Sequence, residues 1–312
     1  MRDCLFDGHC DTAYELWQRG EGLLENTCHI DLRKAAAFEG YAQVFAFCSY
    51  AAKPASDYLT KPLAVLRREV HAHRERIGFA RNAAQIEALW RQGRAAALLS
   101  AEGAEVINCD AERLAGLAQD GFVMLTLTWN ADNALAGCHM SDKGLTDQGR
   151  VFVRAAEELG ILIDVSHLGE NAFWELCRTA RRPILASHSN SRALCAHSRN
   201  LTDDQLRAIA SSGGTVGLNL YAPFVGGKAD FDALRAHLER MLRLCGEQHV
   251  ALGGDLDGCD VTVEGFRTVA DWRSFRDYLS VCGYEDALLE RLYYRNLSEL
   301  LRRDDDGTLC DR

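Results

Sequence analysis

Short apolar runs alternate with longer amphipathic stretches along this chain. The runs are 4–11 (CLFDGHCD), 41–50 (YAQVFAFCSY), 95–103 (AAALLSAEG), 122–130 (FVMLTLTWN), 161–168 (ILIDVSHL), 183–190 (PILASHSN), 214–221 (GTVGLNLY) and 250–258 (VALGGDLDG). Their length and near-continuous apolar character predict eight strands buried on both faces. Between them, 56–80, 110–120, 146–160, 170–180, 202–213 and 230–246 carry helical periodicity, and 271–302 predicts closing helices. Thr202 followed by Gln205 reads as a capping box, and Gly213 as a helix C-cap. Alternating strands and helices predict a parallel sheet sheathed in helices. Eight repeats fit a closed (β/α)8 TIM barrel better than the alternative, an open doubly wound sheet. With 4 prolines and no Ser/Gly/Pro-rich linker, residues 1–312 are expected to form a single domain.

Composition narrows the class. Hydrophobic residues at 47% and charged residues at 26% match a chain with a full core. A net charge of -10 argues against a surface that neutralises nucleic-acid phosphates or anionic lipid, so small-molecule chemistry is expected, with no nucleic-acid or membrane partner. No basic and apolar leader opens the chain, and no apolar run approaches the roughly 18 residues of a membrane span, which makes a cytoplasmic location the expectation. The 12 cysteines are scattered without a CxxC pair and read as buried free thiols.

On this map the imidazole and acidic residues fall at strand ends. His9 and Asp11 end the first strand, Glu102 the third, His167 the fifth, His188 the sixth and Asp255 the eighth. In a barrel, the C-terminal strand ends converge on the face where active sites are built. A single histidine there is more often a hydrogen-bonded structural residue, and Glu102 beside Gly103 could cap a helix. Three histidines and three carboxylates together would be costly to bury without a cation.

Ligand counting suggests two ions. His9 and Asp11 can hold one, His167 and His188 another, and the two oxygens of Glu102 can bridge them. Ions about 3.5–4 Å apart would share a water, acidify it and polarise the carbonyl it attacks. Imidazole and carboxylate without thiolate suit Zn²⁺, and also Mn²⁺, Co²⁺ or Fe²⁺. Asp255 then reads as the base toward that water and the proton donor to the leaving group. The plainer alternative for GGDLDG is a polar turn, and the spacing of a calcium loop is absent. Cys10, between His9 and Asp11, points to the opposite strand face and is not expected to be a ligand. His71 and His73 lie on a solvated helix face, whereas His139 and His197 lie in loops that could reach the barrel mouth.

The stretches DGHCDTAYELW, SAEGAEVI, TLTWNADNALAG, GLTDQGR, LIDVSHLGENAFWEL, PILASHSNSRALCAHSRNLTDDQLRAIASSGGTVGLN and LGGDLDG resemble, in order and across 7–258, the renal or membrane dipeptidases. These are dinuclear zinc peptidases of the amidohydrolase superfamily. The resemblance implies that His9 and Asp11 bind one zinc, that Glu102 bridges, and that His167 and His188 bind the other. It also implies that Asp255 handles the proton and that Arg199 grips the substrate carboxylate, a role suited to a guanidinium fork. A dipeptide substrate follows, with a D-residue accepted at the C-terminal position in several relatives. Many relatives carry a histidine after LTLT that stabilises the developing oxyanion, where this chain has Trp129. An indole N–H donates one hydrogen bond but carries no charge, which would shift that duty to zinc, Asn130 or His139. With no leader and no hydrophobic tail, the chain is similar to the soluble bacterial-type members, among which homodimers are common.

Two alternatives differ in kind. Another amidohydrolase reaction, such as lactone or phosphotriester hydrolysis or deamination, is disfavoured by His-x-Asp in place of His-x-His and by the lack of a lysine ending the fourth strand. An inactive metal-binding barrel serving as a binding partner is suggested by Trp129 and opposed by the intact ligand set.

Overall fold

The computed structural model of the chain describes residues 3–49 and 55–302. Tyr50, at the end of the second predicted strand, and the C-terminal stretch from 303 lie outside the described residues. The strands are β1 (Cys4–Cys10), β2 (Gly40–Cys48), β3 (Ile77–Phe79), β4 (Ala95–Glu102), β5 (Phe122–Thr126), β6 (Leu162–Asp164), β7 (Leu185–Ala186), β8 (Thr215–Leu218) and β9 (Val250–Leu252). All pair in parallel, and the β2–β4 pairing closes a ring of β1, β2, β4, β5, β6, β7, β8 and β9. The eight ring strands are those expected from the apolar runs, and the fold is a (β/α)8 barrel.

Two departures are instructive. The expected helix 56–80 ends at Ala72, and Ile77–Phe79 instead forms β3, which pairs with residues 95–97 of β4 outside the ring. At Gly78 a Cβ would stand 2.7 Å from Leu89, a close approach that a helical side chain would not permit. The helix Ala83–Arg91, capped by the Asn82 side chain, was not expected from periodicity. Several strands are also shorter than the apolar runs, because the runs continue into the loops that carry the polar site residues.

Hydrophobic residues form two cores. One lies between the ring and the helices. The other lies within the ring, with Phe6, Val44, Leu98, Leu162 and Leu185 floored by Leu297, Leu300 and Leu301 from the C-terminal helices. That floor is the expected closing segment. It is tied to β1 by Trp272, whose Nε1 donates to Asp7 Oδ2 at 2.9 Å. Asp7 is fully buried and also accepts from the backbone N–H groups of His9 and Gly254. Burial pushes its carboxyl upward and these donors pull it back.

The register of β1 against β2 slips between Asp7 and Cys10, the mark of a β-bulge. Before the slip, Cys4 and Phe6 face the ring interior, and after it Cys10 packs in the outer core. A bulge re-aims the side chains that follow it. Here it leaves His9 and Asp11 on the inner side, with Cys10 outward as expected.

Backbone contact brings the other half of the site inward. A Cβ on Gly217 or Gly253 would stand 1.9 or 1.7 Å from the Ser187 carbonyl oxygen. Only glycine lets β8 and β9 pass so close beneath the loop that carries His188. A Gly253→Ala chain is therefore expected to lose about 1–3 kcal/mol of stability through overpacking. Thermal unfolding beside the parent chain checks this, and an unchanged melting temperature would refute the close-contact assignment.

Candidate metal centre

His9 lies within β1, and Asp11 follows it as the N-cap residue of the helix Thr12–Arg19. Glu102 is the last residue of β4. His167, His188 and Asp255 lie two or three residues past the ends of β6, β7 and β9, in the loops rather than in the strands themselves. His167 and Asp255 adopt left-handed backbone conformations, φ 72° and 56°. Such strain in non-glycine residues persists only where surrounding contacts hold it.

These loops bring all six expected residues together. Glu102 Oε1 lies 3.5 Å from His9 Nε2, 2.9 Å from His167 Nε2 and 3.6 Å from His188 Nε2. His167 Nε2 and His188 Nε2 are 3.1 Å apart, and the rings of His9 and His188 stack at 3.8 Å. Two ligand triads emerge, His9 with Asp11 and Glu102, and Glu102 with His167 and His188; their donor atoms all lie within 4.8 Å of one another. A third grouping joins His9, His188 and Asp255. Asp255 Oδ1 lies 3.9 Å from His9 Nε2, and its side chain is 13% exposed against 3% for Glu102, which leaves Asp255 open to the cavity.

Burial and neighbouring charges act against one another throughout the cluster. Burial works against a charged His9, but Glu102, Asp11 and Asp255 together push it up to about 10. Burial raises Glu102, yet His9 outweighs it and holds the carboxyl well below its usual range. Asp11 and Asp255 are both raised, first by burial and then by neighbouring carboxylates. His167 falls to about 3 through burial and Arg199, and burial likewise keeps His188 neutral. His9 Nε2, Asp11 Oδ1 and Glu102 Oε2 are buried with no hydrogen-bond partner. Buried polar atoms are normally satisfied, and these three all belong to the triad of His9, Asp11 and Glu102. The donor set, imidazole and carboxylate alone, therefore fits a divalent metal.

The protonation pattern of the second triad is fixed from behind. Ser187 Oγ lies 2.7 Å from His188 Nδ1 and itself donates to buried Asp164. Its oxygen accepts from His188 Nδ1–H, which leaves the lone pair on Nε2. Arg199 Nη2 reaches that same Nε2 at 2.7 Å. Asp164 and Ser187 were not singled out from the sequence, although both lie in quoted stretches: nothing in DVSH or ASHS tells that Asp164 braces the histidine of another strand. Asn219 was missed too; its Nδ2 donates to Asp255 Oδ2 at 3.1 Å and steadies that carboxylate.

The centre opens into a cavity of about 290 Å³ whose walls include Trp129, His139, His197, Arg199, Tyr221 and Phe224. Both loop histidines thus reach the mouth. Arg199 is buried, with its guanidinium 5.4 Å over the Phe224 ring. Trp129 stands with its ring 6.3 Å from that of His167. Both ring nitrogens of His139 are engaged by the protein, Nδ1 with Ser198 and Nε2 with Asn130. Burial, Arg199 and His197 press its pKa down to about 4, so the ring is neutral. His71 is exposed on its helix, as its setting suggests. Among the described residues the cysteines are free, and no helix is long and apolar enough to cross a membrane.

The model of the family described as membrane dipeptidase, peptidase family M19, matches residues 2–306. An uncharacterized protein in the pqqA 5' region of Klebsiella pneumoniae is 33% identical over 260 residues, covering 79% of this chain and 96% of that one. A metallopeptidase from Rhodobacter sphaeroides, solved with a phosphinate mimic of the dipeptide L-Ala-D-Ala, superposes with a TM-score of 0.88 at 26% identity, over 99% of this chain and 100% of that one. The dipeptidase AC, a metallopeptidase of family M19, gives 0.89 at 27% identity over 99% of both chains.

A ligand that binds only the folded chain stabilises it, by about 4 kcal/mol at a thousandfold excess over its Kd. Adding zinc to chelator-treated protein is therefore expected to raise the melting temperature by several degrees. His188→Ala and Glu102→Gln should each reduce that rise. A melting curve indifferent to zinc, manganese and cobalt would remove the metal assignment.

Proposed function

The chain belongs to the membrane dipeptidase family, peptidase family M19, and from that membership we propose that it hydrolyses dipeptides at a centre of two zinc ions. His9 and Asp11 would hold one ion, His167 and His188 the other, with Glu102 between them. The observation that carries this reading is the convergence of three imidazole nitrogens on one oxygen of Glu102, in a buried cluster where His9 Nε2, Asp11 Oδ1 and Glu102 Oε2 have no hydrogen-bond partner. Zinc bound there would supply a Lewis acid for the scissile carbonyl and a water acidic enough to attack as hydroxide near neutral pH.

The chain's own residues supply the rest. Asp255, raised by burial and steadied by Asn219, takes the proton of the attacking water and returns it to the leaving amine. A carboxyl raised above its usual range suits both directions of transfer. Arg199 presents a buried guanidinium above Phe224 at the cavity floor and reads the free C-terminal carboxylate of the substrate. Its donors match a carboxylate in bidentate geometry. This requirement limits the substrate to peptides whose terminal carboxylate lies one residue from the scissile bond.

Trp129 forms a wall of the cavity. With His139 committed at both nitrogens, its ring has no donor left for the developing oxyanion. The Rhodobacter sphaeroides metallopeptidase binds a mimic of L-Ala-D-Ala, and the shared fold supports a D-residue at the C-terminal position of the substrate here. No feature of the cavity favours lactone or phosphotriester chemistry over peptide hydrolysis.

Two outcomes are expected. Asp255→Asn should lower kcat by about 10²–10⁴ while zinc content, measured on the same sample, stays at the parental level; an active variant would refute the proton role. Arg199→Lys should raise KM for free dipeptides, and C-terminally amidated dipeptides should be poor substrates for the parent enzyme. Equal cleavage of free and amidated dipeptides would rule out Arg199 as the carboxylate reader.

A further inference from the structure

Asn130 follows Trp129 in the segment after β5 and stands half-buried on the cavity wall. Its Oδ1 lies 2.7 Å from His167 Nδ1 and 3.2 Å from His139 Nε2. A carboxamide oxygen only accepts, and it has two lone pairs. Both rings therefore present an N–H to it. A neutral imidazole has one such proton, so His167 carries it on Nδ1 and its Nε2 bears the lone pair. That Nε2 is the atom 2.9 Å from Glu102 Oε1 and 3.1 Å from His188 Nε2. By the same logic His139 is protonated on Nε2, and its Nδ1 accepts from the Ser198 hydroxyl at 2.7 Å. Ser198 directly precedes Arg199 in the chain.

We infer that Asn130 is a positioning residue for the metal centre: its carbonyl oxygen sets the tautomer and tilt of His167, and by holding His139 on the same oxygen it ties that ligand to the loop carrying Arg199. The inference rests on the two-metal reading above. Metal-bound histidines commonly direct their second nitrogen to an oxygen partner, and loss of that partner costs about 10- to 100-fold in metal affinity. His188 has a separate brace in Ser187 and Asp164, so removing Asn130 acts on one imidazole of the pair. His9 and Asp11 belong to the other triad.

The experiment compares zinc-loaded wild-type protein with Asn130→Leu and Asn130→Asp. Leucine approximates the volume without an acceptor, whereas aspartate keeps an oxygen for both rings. Zinc release is titrated against graded chelators, the visible bands of cobalt-substituted samples are recorded, and the metal-free forms are melted as a folding control. Asn130→Leu is expected to release one zinc equivalent about 10- to 100-fold more readily and to change the cobalt spectrum, with the other equivalent held as in the wild type. Asn130→Asp should restore both readouts to within a few-fold of the wild type. The inference is overturned if the leucine variant holds both equivalents as tightly with the same cobalt spectrum, or if the aspartate variant, folded as judged by its melt, loses zinc as readily as leucine. A wild-type protein that takes up no divalent metal would instead overturn the two-metal reading beneath it.

Discussion

One oxygen of Glu102, shared by three imidazoles, is the contact around which the barrel is arranged. It sits at the end of β4, where the ring closes onto β2, and its three partners arrive from β1 and from the loops after β6 and β7. Charge at this point is costly to bury, and none of the surrounding devices makes sense without it. The bulge in β1 turns His9 inward. Gly217 on β8 and Gly253 just past β9 make room for the Ser187 carbonyl before His188, and left-handed backbone at His167 and Asp255 aims their side chains. Each is locally unfavourable or sterically demanding, and each acts on the same few ångströms.

The two triads are supported in different ways. Glu102 and His9 stand on ring strands and inherit their stiffness from the sheet. Asp11 adds the first turn of a helix. His167 and His188 stand on loops, and their stiffness comes from side chains behind them, Asn130 for one and Ser187 with Asp164 for the other. A strand positions a ligand through many backbone hydrogen bonds, whereas a brace positions it through one. The second triad is therefore the half of the centre most exposed to single substitutions outside the ligands.

Much of this was legible in the sequence, and the failures have physical reasons. Eight apolar runs marked the ring strands because parallel strands are buried on both faces, and the polar residues ending five of those runs marked the site because barrel chemistry gathers there. The resemblance to a dipeptidase family added Arg199, which no periodicity would have singled out. Strand ends were placed too late, since an apolar residue in a tight loop reads like one in a strand; Val165 and Leu168 flank His167 outside β6. β3 was lost inside a helical pattern because three residues pairing only with the lower edge of β4 leave too short a signal. The braces were invisible for a different reason. Asp164, Ser187, Asn130 and Asn219 act across large separations in the chain, and their residue types are ordinary in loops.

The slip in β1 can also be seen as a choice between two reading frames in space. The same residues laid without it would keep the alternation that begins at Cys4 and Phe6, present Cys10 to the centre and turn His9 toward the helices. Gly8 lies within that slip, where a Cβ would meet the carbonyl oxygens of Leu252 and Ser187 and the Leu297 side chain. A thiolate in place of an imidazole would favour softer metals. The elemental preference of the site is thus written less in which donors the chain encodes than in the parity of one short ladder.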